Sequence, residues 1–377
     1  MAPILFLRVA QASCVSTRVP FATFLSSGVA MRLPVYVLAL VCGTVVSCSS
    51  EHRSPTEAPP VKSVGVKTID LAFSSSTPLF TSRANAINDS GVVVGWAAIN
   101  AADSTRAVVW RPPSYRVEFL PDQNAENGSS ANGVGRDGVI GGQIGCARTG
   151  AVSCTPVYWR ADVLHVLDGV GQVNAVCPCD SHTLVGQVVV NGALHGALWI
   201  DDVLIDVGTP PGTANAQLVA VAHGFIVGNA FDDTLLSPGV GTGFRWSPSS
   251  GWTRLNGPPP FGVGFVSDVN SSGTALGVAT VGTLWLNGSN TGTAIPEQQG
   301  LDLGGFETAI NDSSVVAGLF IGGGHPFPVA AIWTQADGWT PIGGEINPRV
   351  TDINNSNEVV GYWATDGAGF DALLWQP

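Results

Sequence analysis

The chain has 377 residues, of which 45% are hydrophobic and only 12% are charged, so it has enough apolar residues for a large core and does not have the composition of a disordered protein. Glycine (47) and proline (25) are abundant, which favours short strands joined by tight turns. Acidic residues outnumber basic ones by 28 to 16 and the only lysines are Lys62 and Lys67, a composition that excludes a phosphate-neutralising surface and therefore nucleic acid as a partner.

The first predicted element is an export signal. Arg32 is followed by an apolar run over residues 33–46, and the small Ser47 stands directly before Cys48. The run is shorter than the roughly 20 residues that a membrane-spanning helix needs. The segment therefore indicates export from the cytoplasm.

Residues 45–48, Val-Val-Ser-Cys, are similar to a bacterial lipobox, and this resemblance implies lipidation of Cys48. An ordinary cleaved signal and an uncleaved anchor are the alternatives. We expect residues 1–47 to be the export segment, with Met31 as a possible true start, and the polar, proline-rich residues 48–62 to be a flexible tether. The protein should lie in the cell envelope or be secreted, with membrane contact only through this N-terminal anchor, because its acidity opposes docking to anionic lipid.

From residue 63 onward the sequence is repetitive. Each repeat begins with a short apolar strand, a polar turn and a second apolar strand that ends in glycine, as in ANAINDSGVVVG. The seven copies begin at Ala84, Ala131, Val173, Leu218, Val266, Glu307 and Val350. We place the closing glycines at Gly95, Gly141, Gly186, Gly228, Gly277, Gly318 and Gly361. The period of about 44 residues lies in the range of propeller blades.

A second marker keeps the same period. A short apolar stretch that ends in tryptophan closes the third strand of each repeat, and most of these tryptophans lead into a turn and a fourth apolar stretch. The tryptophans are Trp110, Trp159, Trp199, Trp246, Trp285, Trp333 and Trp375. One four-stranded sheet cannot bury both of its faces alone, so radial packing is required. We predict an all-β, seven-bladed β-propeller of four-stranded antiparallel blades over residues 63–377, with the tryptophans between the blades.

The seventh repeat has no room for a fourth strand after Trp375. A suitable strand, residues 64–73, stands before the first repeat. We therefore expect the N-terminal strand to complete the last blade and close the ring.

The repeat resembles the bacterial HAF family of probable extracellular repeats. The resemblance is carried by AINDSGVVVG, by the apolar residues before tryptophan and by Asp-Leu-Gly-Gly at 302–305, with His195-Gly-Ala-Leu-Trp199 as the nearest copy of His-Ala-Phe. It covers about residues 64–377. It implies a propeller-like fold and export, and carries over no activity.

Two motifs invite a metal interpretation. The polar turns, such as residues 88–91 and 268–273, partly resemble calcium loops, but Asn, Asp, Ser and Gly between two strands are more typical of turns. The second motif is the set of cysteines Cys146, Cys154, Cys177 and Cys179, which are disulfide candidates in an oxidising compartment. A soft metal at residues 177–182 is the less favoured alternative. We expect no bound metal, no cofactor and no catalytic residues, since no hydrolase or nucleotide-binding motif occurs.

The predicted ligand face follows from strand direction. Loops between strands two and three, and those between blades, emerge on the same face and are the longer ones, including residues 230–242, 256–264 and 321–328. They offer the candidates Phe231, Asp232, Asp233, Phe261, His325 and Phe327. We expect a monomeric, non-catalytic binding or scaffold module for a protein or polysaccharide. A propeller hydrolase or lyase with acidic groups at the channel is the alternative, and a ligand-free spacer a third.

Overall fold

The structure is a computed structural model. It describes residues 66–72, 79–100, 104–123, 128–146, 154–180, 182–231, 241–259, 264–278, 281–296, 308–322, 325–343, 348–364 and 369–377. The strands form seven separate four-stranded sheets, and every pairing within them is antiparallel. The chain is therefore a seven-bladed β-propeller, and the predicted fold class is confirmed.

The strands follow the repeats. Those of the N-terminus and the first three blades are β1 (Lys67–Asp70), β2 (Thr81–Ile87), β3 (Val93–Ala98), β4 (Arg106–Trp110), β5 (Val117–Phe119), β6 (Ser129–Val134), β7 (Ile140–Ile144), β8 (Thr155–Arg160), β9 (Val163–Val166), β10 (Gly171–Val176), β11 (Thr183–Val190), β12 (Ala193–Ile200) and β13 (Val203–Gly208). Those of the remaining blades are β14 (Asn215–Ala222), β15 (Phe225–Phe231), β16 (Gly241–Ser247), β17 (Gly251–Arg254), β18 (Phe265–Val269), β19 (Ala275–Val278), β20 (Gly282–Trp285), β21 (Thr293–Ala294), β22 (Ala309–Ile310), β23 (Val316–Gly322), β24 (His325–Thr334), β25 (Gly338–Pro341), β26 (Pro348–Ile353), β27 (Val359–Ala364) and β28 (Phe370–Gln376).

The seventh blade contains both ends of the described chain. Its order is β1-β28-β27-β26, and Lys67 lies opposite Gln376 while Asp70 lies opposite Leu373. The N-terminal strand is thus the outer strand of the last blade. Pairing of the first and last strands closes the ring without a covalent link.

The core lies between the blades rather than inside them. Seven of the eight apolar clusters among the described residues join one blade to the next, and each contains or packs against the third-strand tryptophan of one of the two blades. Five of these tryptophans are completely buried: Trp110, Trp159, Trp199, Trp285 and Trp375. The predicted role of these residues as inter-blade core is confirmed. Because each blade buries its faces against two neighbours, the blades depend on one another for their stability.

A β-bulge in the first strand explains the repeated glycine. In β2 the bulge skips one residue between Ala84 and Ala86, and a Cβ at the facing Gly95 would lie 1.9 Å from the backbone oxygen of Arg83. The same clash occurs in the second blade at Gly142, 2.1 Å from the oxygen of Ser130. Gly142, not the predicted Gly141, is therefore the matching position of that repeat. Glycine recurs because the bulge brings a carbonyl oxygen to where a side chain would begin.

The two faces of the ring differ in their connections. We call the face with the turns between the first and second strands the short-turn face, and the opposite face the long-loop face. The prediction of a long loop at 321–328 is wrong. There β23 runs to Gly322 and β24 begins at His325, and these two residues pair, so the hairpin extends through most of that segment.

Candidate ligand-binding site at the channel mouth

The bulges place one residue of the first strand against the central channel in six blades. These residues are Asn85, Asn132, Asn174, Val219, Ser267 and Thr351. Several of them tie their blade to the next one. Asn85 Nδ2 donates to the carbonyl oxygen of Ala131 (2.8 Å), and Thr351 Oγ1 donates across the closure to that of Ala84 (2.9 Å). The channel wall is therefore polar and internally hydrogen-bonded.

At the short-turn mouth, asparagine side chains hold the turns and link the blades. Asn311 Oδ1 accepts bonds from the backbone N–H groups of Ser313 and Val315, and its Nδ2 donates to the carbonyl oxygen of Asn354. Asn354 repeats the pattern and donates to the carbonyl oxygen of Asn88. These are the oxygens that a calcium interpretation would use as ligands. They are committed to turn and inter-blade hydrogen bonds, in agreement with the turn interpretation.

Two carboxyl groups lie in the channel wall near the same mouth. Asp268 accepts bonds from the backbone N–H groups of Val269 (2.7 Å) and Ile310 (2.8 Å), and Asp352 does the same with Ile353 and Ile87 (2.8 Å each). Burial raises the pKa of Asp268 to about 7 and that of Asp352 to about 8, and the charge of Asp268 adds to the second effect. Each carboxyl bridges its blade to the next.

The long-loop mouth has a cavity of about 340 Å³ with different chemistry. It is lined by Arg83, Asn85, Trp96, Ser130, Asn132, Gln143, Gln172, Asn174 and Thr351. Five of these nine side chains are amides, one is an indole and one is a guanidinium. Among the lining residues, Gln143 Oε1 is buried and has no hydrogen-bond partner. Amide groups and an aromatic surface therefore converge on one opening. Four of the five amides already donate within the wall, from Asn85, Asn132, Gln172 and Asn174, and Gln143 keeps an acceptor without a partner.

Aromatic residues extend this cavity across the junction of the seventh and first blades. The Phe370 ring meets Trp96 (centroids 6.4 Å apart) and Tyr362 (5.1 Å) edge to face, and the Arg83 guanidinium carbon lies 4.6 Å from the centre of the Tyr362 ring. We call Arg83, Trp96, Tyr362 and Phe370 the seam cluster. Phe370 keeps 36% of its surface exposed, which is enough for contact with a ligand.

The predicted ligand-face residues are placed only in part. Phe231 ends β15 and packs against Phe265, with ring centroids 6.0 Å apart. His325 and Phe327 belong to the strand β24 instead of a loop. The residues that fall outside the described part of the chain are Cys48, Asp232, Asp233 and Phe261. Phe231 does not line the long-loop cavity.

All four cysteine candidates lie in disulfides. Cys146 is joined to Cys154 across the loop between β7 and β8, and Cys177 is joined to Cys179 in the first turn of the third blade. Within the described residues, Cys177, Cys179 and Asp180 form a group whose ligand atoms lie within 4.8 Å of one another. A metal would need the thiolates of these cysteines, and the disulfide occupies both sulfurs.

The cavity residues were missed by the sequence interpretation. Trp96 and Gln143 follow the glycine of the first and second repeats, and they pair with Arg83 and Ser130, two residues before the bulge. These positions vary from repeat to repeat, so the pattern that the repeats share does not include them. A comparison of the repeats position by position shows the amides and the arginine.

Within the described residues there is no helix of the length and hydropathy needed to cross a membrane. No protein-family model matches the chain, and no curated protein sequence matches it. Solved structures do match. The β-propeller domain of the Trilobed protease from Pyrococcus furiosus, described as having an open velcro topology, aligns with a TM-score of 0.52 at 12% identity over 79% of this chain and 94% of that one.

An acylaminoacyl peptidase from Pyrococcus horikoshii aligns with a TM-score of 0.51 at 10% identity. The match covers 81% of this chain and 52% of the peptidase, so the present chain corresponds to about half of that protein. Identities this low show the shared fold alone. Fold and site together define a closed seven-bladed β-propeller with a polar channel and an aromatic, amide-lined mouth.

Proposed function

We propose that the protein is an exported, lipid-anchored, non-catalytic module that binds a polysaccharide at the long-loop mouth of its channel. The observation that carries the proposal is the cavity in which Trp96, five amides and Arg83 converge. Sugars present apolar ring faces and many hydroxyl groups. Aromatic side chains pack against the first, and amides donate to and accept from the second.

Gln143 supports this proposal independently. Its Oε1 atom is buried without a partner in a position that lines the cavity. A buried acceptor left unsatisfied costs about 1–3 kcal/mol, and such a group calls for an explanation. A ligand hydroxyl would supply the missing donor.

The chain path suits an anchored module. Residue 67 lies at the short-turn face, beside the turn residues Asp89 and Ser356, and the cavity opens on the opposite face. The N-terminal strand thus begins on the face that does not carry the cavity. Labelling with radioactive palmitate should mark the wild-type protein and not Cys48→Ala; labelling of both would remove lipidation from the proposal.

Binding is tested with Trp96→Ala on an immobilised polysaccharide panel. Loss of stacking on one aromatic face should weaken binding at least tenfold, and the midpoint of thermal unfolding should remain close to that of the wild type. Trp339→Ala is the matched control, because Trp339 stacks on Phe320 in the sixth blade, outside the cavity lining. Equal loss in both variants, or no loss in Trp96→Ala, would count against this site.

A hydrolase or lyase is the second candidate, and it would act at the short-turn end of the channel, where burial raises the pKa values of Asp268 and Asp352 in the channel wall. A carboxyl that keeps its proton near neutral pH is suited to general-acid catalysis. Turnover of a bound polysaccharide that is lost in Asp352→Asn while binding persists would establish this function. Intact polysaccharide after long incubation would support the non-catalytic module.

A further inference from the structure

The first turn of the third blade is built differently from those of four other blades. In these four blades an asparagine stands directly after the first strand, and its Oδ1 accepts the backbone N–H groups two and four residues later. The four asparagines are Asn88, Asn270, Asn311 and Asn354. In the third blade the equivalent residue is Cys177, whose Sγ accepts the backbone N–H of Cys179 (3.3 Å). A pair of cysteines thus takes the place of the asparagine.

Hydrogen bonds from Asp180 hold this turn without help from the disulfide. Its Oδ1 accepts the backbone N–H groups of His182 (3.0 Å) and Thr183 (2.8 Å), and its Oδ2 accepts the hydroxyl of Thr183 (3.2 Å). The backbone N–H of Cys177 donates to the carbonyl oxygen of Thr183 (2.9 Å). Breaking the bond between the two sulfurs leaves all four of these hydrogen bonds in place.

The disulfide between Cys177 and Cys179 also adds little by restricting the unfolded chain. The stabilisation expected from such a restriction grows with the number of residues in the closed loop. The two cysteines are 2 residues apart here and 8 residues apart in the disulfide between Cys146 and Cys154. Loop closure therefore favours reduction of the shorter loop over the longer one by about fivefold.

The two sulfur atoms of the short disulfide differ in access. Cys177 is completely buried and belongs to the apolar cluster between the third and fourth blades, whereas Cys179 is exposed. A thiolate that attacks a disulfide must reach one sulfur, and the other sulfur then leaves as a thiolate. Cys179 is thus the sulfur within reach and Cys177 is the leaving group. The backbone N–H of Cys179, which already donates to Cys177 Sγ, lies beside the thiolate that is released.

The carboxylate of Asp180 acts on both states of Cys179. Its Oδ2 lies 3.4 Å from Cys179 Sγ. In the oxidised pair its negative charge repels an approaching thiolate and slows the attack. In the reduced pair it accepts a hydrogen bond from the Cys179 thiol, which favours the product. Removal of this charge should therefore speed the reaction without moving the sulfur atoms.

We propose that Cys177 and Cys179 form a thiol–disulfide exchange site on the short-turn face, which reacts with a dithiol protein of the thioredoxin class. A thiolate of the partner bonds to Cys179 Sγ, the bond between the two cysteines breaks, and Cys177 leaves as a thiolate that takes up a proton. The second thiol of the partner then displaces Cys179 from the mixed disulfide, and Cys179 takes up a proton as well. Two electrons and two protons pass to the cysteine pair, and the partner is oxidised to a disulfide. This site is independent of polysaccharide binding.

The reaction is tested on the folded, oxidised protein with a catalytic amount of thioredoxin and with dithiothreitol as the source of electrons. Free thiols are alkylated at intervals and located by mass spectrometry of peptides. We expect Cys177 and Cys179 to be labelled severalfold faster than Cys146 and Cys154, and thioredoxin to accelerate only the first pair. Equal labelling of the two pairs, or no acceleration by thioredoxin, would overturn the proposal.

Variants test which sulfur is attacked. Cys177→Asn restores the residue type of the other turns and leaves Cys179 as an exposed thiol, which should form a mixed disulfide with oxidised glutathione. Cys179→Ser is the matched control, because its remaining thiol at Cys177 is buried and should not react while the protein is folded. Asp180→Asn keeps an acceptor for the turn and should speed reduction of the wild-type pair severalfold. Equal reaction of the two cysteine variants, or slower reduction in Asp180→Asn, would overturn the proposal.

Discussion

The two mouths of the channel are built from the same repeat and do different things. At the short-turn mouth the amide of Asn311 is saturated by its own turn and by the next blade. At the long-loop mouth Gln143 offers an unsatisfied oxygen to a cavity, beside Trp96 and Arg83. The turn between the first and second strands requires particular side chains for its hydrogen bonds. Before the bulge, the same two strands are held together by backbone hydrogen bonds, which do not depend on the side chain. Positions before the bulge are therefore free to acquire a ligand.

The largest expected effect is a loss of stability caused by a substitution at the short-turn mouth. Asn354→Ala should lower the free energy of unfolding by about 3 kcal/mol, because Asn354 is only 3% exposed and its side chain bonds two turn N–H groups and the next blade. Chemical denaturation measures the loss. Polysaccharide affinity of the folded variant should not change. Ser356→Ala, in the same turn and exposed, is the control and should cost less than about 0.5 kcal/mol.

A second test uses pH. The pKa values of Asp268 and Asp352 are raised by burial to about 7 and about 8, above the value near 4 of an unfolded chain. Between these values the folded protein binds more protons than the unfolded one, so stability falls as pH rises from about 4 to 8 and then levels off. Because one pKa unit corresponds to about 1.4 kcal/mol, the fall should amount to several kcal/mol.

Thermal unfolding at several pH values measures this fall. Asp352→Asn should flatten the profile and lower stability at pH 5, because its amide nitrogen cannot accept the second backbone N–H. Asp337→Asn, on an exposed turn, should leave the profile unchanged. Rising stability over the same pH range in the wild type would contradict the assignment.

The smallest expected effect on stability comes from a substitution of Gln143 at the long-loop mouth. Gln143→Leu removes the buried acceptor that lacks a partner, so stability should stay level or rise by up to about 1 kcal/mol. Binding of the polysaccharide should weaken severalfold, since the ligand loses a hydrogen bond. Isothermal calorimetry and denaturation on the same sample test both halves. A large loss of stability would show that Gln143 supports the wall rather than the ligand.

The fold could be predicted because its signal is periodic. The glycines and tryptophans mark the bulge and the blade interfaces, and both follow from backbone geometry that every blade shares. The prediction of a long loop at 321–328 is wrong because the second and third strands of the sixth blade extend into that segment, and β24 already begins at His325. The disulfide candidates were recognised from the expected oxidising compartment and from the position of Cys146 and Cys154 at the two ends of one hairpin loop.

The binding site could not be predicted in the same way. Trp96 and Phe370 are separated by most of the chain, and only closure of the ring brings their rings together. Their repeat positions are also those that differ between blades, so a consensus hides them. Phe231 was recognised as a surface aromatic, yet its contact is with Phe265 rather than with the cavity.

The position of β1 has a mechanical consequence. Force applied through the N-terminal segment enters the domain at Lys67 and runs along the strand, while β28 holds that strand over its whole length. The hydrogen bonds of the pair are then loaded together in shear, instead of opening one after another as they would if the strand were peeled sideways. If the protein is anchored through its N-terminus as proposed, the pairing of β1 with β28 would resist unfolding when a bound polymer pulls on the domain.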